Sequence, residues 1–235
     1  MKNITSVLTF FSSDATLSKR LESELGELKK ALSQIATNTS EQELILLQGK
    51  IDGLQTQTTK LRTIKLKTLS TADFKALPHI KLKQLTDKQE YEQRKALILH
   101  CSELAPEQFN TLHSPDFIQL YENIADMVLK PSDEIQGSKL NGERFEFDLL
   151  HPFKNEAGDD ITRIKFKVPK VVHTEALADL DEDEQREDFM FRVVTGLEAA
   201  DFKFLSLNDY LALKAQVGAF FQPSAGFFRS KTLNL

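Results

Sequence analysis

The chain has 235 residues, of which 40% are hydrophobic and 28% charged, with a formal net charge of −5 and a pI near 5.6. That size suits one or two domains with ordinary cores, and the acidic balance argues against a general nucleic-acid binder, which would carry a basic face. A single cysteine, Cys101, excludes an intramolecular disulfide framework, and no apolar run approaches the roughly 20 residues of a membrane span.

Ile4 to Phe11 is interrupted by Thr5, Ser6 and Thr9 and lacks a small-residue cleavage pattern, so it is not read as a secretory signal. Leu21, Leu25, Leu28, Leu32 and Ile35 then alternate steps of four and three, which places them on one face of a helix that ends at Asn38-Thr39-Ser40. The stripe packs either on its own chain or on a partner helix. Glu43 to Ile51 reads as a strand, Asp52-Gly53 as a turn signal and Thr59 to Thr68 as the returning strand.

Helices follow at about Asp87 to Ser102, Pro106 to Leu112 and Pro115 to Leu129, with Ser114 suited to cap the last. Pro131, Gly137 and Gly142 among polar residues mark a linker. A second hairpin is predicted from Phe145-Glu146-Phe147-Asp148-Leu149, a loop with Gly158, and Ile161 to Val168. Helices at about Leu180 to Thr195, Ala199 to Leu205 and Leu207 to Phe221 complete it.

These two stretches look like copies. Leu104, Phe109, Leu112, Asp116 and Leu120 recur as Leu197, Phe202, Leu205, Asp209 and Leu213, each pair 93 positions apart. Upstream, Thr63-Ile64-Lys65-Leu66-Lys67 resembles Arg163-Ile164-Lys165-Phe166-Lys167 at a spacing of 100. Thr86-x-x-Gln89 and Asp179-x-x-Glu182 both have the form of a capping box. The predicted class is therefore α+β: two tandem modules, each a β-hairpin followed by three or so helices, preceded by an N-terminal amphipathic helix. The boundaries are 1–42 for the helical segment, 43–130 for the first module, 131–142 for the linker, 143–222 for the second module and 223–235 for a tail.

Lys60 to Lys95 is rich in lysine and arginine, whereas the charged residues of Glu175 to Asp188 are all acidic except Arg186. Both suit solvated faces; the sharper expectation is that they meet, within a chain or between chains. No glycine cluster cradles a phosphate, and the five histidines, His79, His100, His113, His151 and His173, are scattered without metal-ligand spacing. No nucleophile with a base is apparent, so neither an enzyme nor a cofactor is expected. Cys101, within Ala96-Leu97-Ile98-Leu99-His100, suits a buried apolar role.

In the second copy, the strand ending near Leu150-His151-Pro152-Phe153, the Gly158 loop, the strand Ile161 to Pro169, the helix reaching Thr195-Gly196-Leu197, and then Phe202, Leu205, Asp209, Tyr210 and Leu213 form an ordered set. The stretch from Phe145 to Phe221 resembles the small tail assembly chaperones of Mu-like contractile-tailed phages. The first copy departs from that pattern where Leu69 stands for Pro169 and Glu103 for Gly196. The resemblance implies a non-catalytic protein of the infected bacterium's cytoplasm that binds the tape measure protein, with the tail tube protein as a further partner and self-association open. A structural component or adaptor retained in the tail is the alternative. Candidate partner-binding residues are Leu21, Leu25, Leu28, Leu32 and Ile35 on the stripe, with Phe220, Phe221, Phe227 and Phe228; for the phenylalanines, ordinary core and tail roles compete.

Overall fold

The computed structural model describes residues 4–34, 41–140 and 144–221. Those within 1–67 and 94–124 form one compact unit, and those within 68–93 and 125–235 form the other.

In the first unit, strand β1 (Ile4–Val7) pairs antiparallel with β2 (Thr63–Leu66), with Ser6 opposite Ile64. Alternation turns Ser6, Leu8 and Ile64 inward while Thr5 and Val7 stay exposed. The strand expected at 43–51 is not formed. Helix α1 (Ala15–Ser33) is followed by helix α2 (Glu41–Arg62), and the two pack on each other. The reason is legible once periodicity is weighed over the whole span. Leu44, Leu47, Ile51, Leu54 and Thr58 step by three and four, a helical stripe matching that of α1, and Asp52-Gly53 lies within it.

Asp14 caps α1 by accepting from Leu17 N at 2.9 Å. At the base of this helical hairpin Ser13 N donates to Leu61 O at 2.9 Å and Leu8 N to Arg62 O at 3.0 Å. Arg62 reaches back to Glu22 at 2.7 Å. Hydrogen bonds from Ser18 and then Arg62 hold the Glu22 carboxyl below its usual range.

Helix α3 (Thr71–Lys75) follows β2 and opens with a capping box between Ser70 and Asp73. Helix α4 (Asp87–Cys101) starts at the expected box, with Thr86 N donating to Gln89 Oε1 at 2.9 Å. Cys101 is fully buried, as its apolar neighbours suggested. The short helix α5 (Pro106–Phe109) leads to α6 (Ser114–Leu129). The cap of α6 is one position earlier than expected: Phe117 N donates to His113 O, so His113 rather than Ser114 supplies the first helical carbonyl.

The linker expected at 131–142 holds a short helix, α7 (Ser132–Ile135), with Ser132 and Asp133 buried, and it packs on the last helix of the second unit. Pro131 is the N-cap residue of this helix, and its carbonyl accepts from Ile135 N at 3.1 Å. Strands β3 (Glu146–Lys154) and β4 (Asp160–Lys165) form the expected second hairpin, with Phe147 opposite Ile164 and a register shift between Asp148 and Phe153. Gly158, at φ 91°, supplies the positive φ the connecting turn needs.

Helix α8 (Val171–Ala178) precedes α9 (Asp183–Thr195), then a 3-10 helix (Ala199–Phe204) and α10 (Leu207–Phe220). The capping box expected at Asp179 is absent because α8 forms: Asp179 ends that helix, and Glu182 precedes α9 without a side-chain cap. Gly196 closes α9 in the left-handed conformation, φ 71°. Glu103 does not copy that turn, since among the described residues His79 alone of the non-glycines has positive φ. The core of this unit joins Phe147, Ile164, Phe191, Val194, Leu205 and Leu213.

Candidate functional site

A hairpin has one apolar face and is unstable alone, so something must fix it to helices. In the second unit that anchor is Asp209, in the first turn of α10 and wholly buried. Its carboxylate accepts from Leu150 N at 2.9 Å and His151 N at 3.0 Å, just where β3 loses register with β4, and from Ser206 Oγ at 2.7 Å. A buried carboxylate is tolerable when such donors replace water. Beside it, burial pushes His151 below its ordinary pKa, with Asp209 opposing.

The first unit has the same device. Asp116, in the first turn of α6 and wholly buried, accepts from Thr9 N at 2.8 Å, Phe10 N at 3.0 Å and Phe11 N at 2.7 Å. The recurrence of this aspartate is plain in the sequence; its role is not, because the amides it holds lie far away along the chain.

Asn208, next to Asp209 and almost fully buried, donates from Nδ2 to Met127 O at 2.7 Å and Lys130 O at 2.8 Å, and accepts from Thr68 Oγ1 at 2.6 Å. It thereby satisfies carbonyls at the end of α6 that have no helical partner. Leu207 N donates to Leu69 O and Thr71 N to Leu205 O, both at 2.9 Å, so residues 68–75 are tied to the start of α10.

The candidate partner-binding residues are not gathered at one place. Leu21 is buried, while Leu25, Leu28 and Leu32 are half-buried on the helix that packs against α2. Phe220 and Phe221 are half-buried against the core of the second unit. Ile35, Phe227 and Phe228 lie outside the described residues. Exposed apolar side chains missed in the sequence include Ile45 and Leu46 at the start of α2 and Val171 and Val172 at the start of α8, Val171 being 85% exposed. Nothing in a two-residue apolar pair distinguishes a surface from a core position.

One pair links the basic and acidic segments: Lys75 Nζ lies 2.7 Å from Glu184 Oε1, within the second unit. Their hydrogen bond raises the lysine pKa and lowers that of the glutamate. Among the described residues no group of three or more His, Cys, Asp and Glu is placed to hold a metal ion, and no helix is long and apolar enough to cross a membrane.

What the second unit's hairpin and helices define is a small α+β module whose strands are tethered to a helix start by a buried carboxylate. Residues 146–222 match the family of phage tail assembly chaperone proteins, E, or 41 or 14. The matched stretch opens with β3 and runs through α10, so the similarity to that family covers the whole tethered module. No curated protein and no solved structure matches the chain.

Proposed function

We propose that this protein is a non-catalytic chaperone of phage tail assembly that binds the tape measure protein in the cytoplasm of the infected bacterium. The observation that carries the reading is the family match over the whole tethered module. The client expected from the resemblance is a long helix with apolar stripes, which aggregates when uncovered, and covering it calls for apolar surface. Leu25, Leu28 and Leu32, exposed Ile45 and Leu46, and the terminal Phe227 and Phe228 are the proposed contacts, with the tail tube protein as a second partner.

Co-expression with the tape measure protein of the same phage tests this. The protein is expected to keep that client in the soluble fraction and to co-purify with it; a client that stays insoluble and unbound overturns the reading. Mass spectrometry of purified particles beside infected-cell lysate separates the alternative, since a tail component persists in particles at fixed stoichiometry and a chaperone is left behind.

A further inference from the structure

We infer that residues 4–13 and 60–129 form a second module of the same kind as residues 146–222, opened between its two strands by the helical hairpin α1–α2. The order of elements agrees throughout: strand, strand, short helix, helix, short helical turn, helix. The strand registers coincide, since Thr5 faces Lys65 and Ser6 faces Ile64 as Glu146 faces Lys165 and Phe147 faces Ile164. The amides of Thr9 and Phe10, held by Asp116, correspond at the same displacement to those of Leu150 and His151, held by Asp209.

Two further contacts repeat. Lys67 N donates to Cys101 O at 2.8 Å, and Lys167 N to Val194 O at 2.7 Å. Ser102 Oγ donates to Ile98 O and accepts from Leu104 N, while Thr195 Oγ1 donates to Phe191 O and accepts from Leu197 N. Chance similarity of two amphipathic helices does not reproduce strand register, a carboxylate tether and a strand-to-helix hydrogen bond together.

In this alignment the turn Asn155–Asp159 corresponds to residues 14–59. The hydrogen bond from Ser13 N to Leu61 O closes the neck of the inserted arm, whose two helices find their main packing in each other. The first strand of the module is thus Ile4–Val7, far from the segment whose composition suggested it. The chain carries two modules for one class of partner, an apolar-faced helix of a tail protein; that clause rests on the function proposed above.

Hydrogen exchange on the full chain without any tail protein tests the assignment, so its failure is distinguishable from failure of the chaperone reading. In Asp116→Asn the amides of Thr9, Phe10 and Phe11 are expected to exchange about tenfold faster or more while Leu150 and His151 keep their rates, and Asp209→Asn gives the mirror image. Unchanged exchange at Thr9 to Phe11 in Asp116→Asn overturns the tether. A second variant replaces residues 14–59 by a copy of the turn Asn155–Asp159. Retained protection at Thr9 to Phe11, with the helical signal of the arm lost, is the expected result. Loss of that protection shows that the arm belongs to the fold and overturns the insertion.

Discussion

Asp209 Oδ1 lies 2.9 Å from Leu150 N, a contact spanning 59 positions of sequence, and it makes a helix start and the irregular middle of a strand one structural unit. Bonds to a charged acceptor are each worth roughly 1.5–3 kcal/mol, and stripping the acceptor leaves buried donors unpaired. Asp209→Ala is therefore expected to lower the unfolding free energy by about 3 kcal/mol or more, measured as a fall in the urea midpoint. An unchanged midpoint would show that the carboxylate is not the anchor.

Gly196 and the glycines of α2 are expected to respond with opposite sign to alanine. At Gly196, φ is +71° and an added Cβ meets Lys167 Nζ at 2.9 Å. The lysine tip can swing away, so the left-handed backbone dominates and Gly196→Ala costs about 1–2 kcal/mol. Gly49 and Gly53 lie inside α2 with nothing within 4 Å, so alanine there stabilises by about 0.5–1 kcal/mol. Thermal denaturation of the variants checks both signs.

His151 makes stability depend on pH. Burial depresses its pKa in the folded chain, so the unfolded chain binds more protons. The contribution is complete above the unfolded value of about 6.5 and is lost as pH falls through it toward the lower folded value. The melting temperature is expected to fall between about pH 7.5 and pH 5.5, and His151→Gln is expected to flatten that slope.

Cutting the chain at residues 131–142 is expected to damage the second unit. A fragment of residues 143–235 lacks Leu69, whose carbonyl accepts from Leu207 N, and the carbonyls of Met127 and Lys130 that Asn208 serves. It should unfold at lower urea than a fragment that begins at residue 68. Equal midpoints would show that these contacts are dispensable.

Removing residues 223–235 leaves the described core intact and takes away Phe227 and Phe228. The shortened chain is expected to keep its circular dichroism while less tape measure protein co-purifies with it. Full retention of the client would remove the tail from the binding surface.

Local signals were the legible ones. Thr86 and Gln89 announce α4, and Thr195-Gly196 marks the end of α9, because each depends on neighbours a few residues away. The strand Ile4–Val7 went unread because it is short, polar in alternate positions, and completed by a partner at Thr63–Leu66. The opposite error at 43–51 came from the apolar run Leu44-Ile45-Leu46-Leu47, which has strand composition but lies on a helix whose seam is set by α1. Asp116 and Asp209 could be matched to each other in the sequence, whereas their amide partners are a tertiary fact. The same holds for the candidate binding residues: a heptad-like stripe shows that a face is apolar, and only the fold shows that α2 takes part of it.

The arm between β1 and β2 also imposes an order of events. About 55 residues separate these strands, against five in the turn of the second hairpin, a loop-closure difference of roughly 2 kcal/mol if the chain between them is unstructured. Two helices that pack on each other bring Ser13 and Leu61 together and shorten the effective loop to almost nothing. The first hairpin is therefore expected to close after its arm has formed, and the second to zip from its own turn. During synthesis Ile4–Val7 leaves the ribosome well before its partner strand Thr63–Leu66.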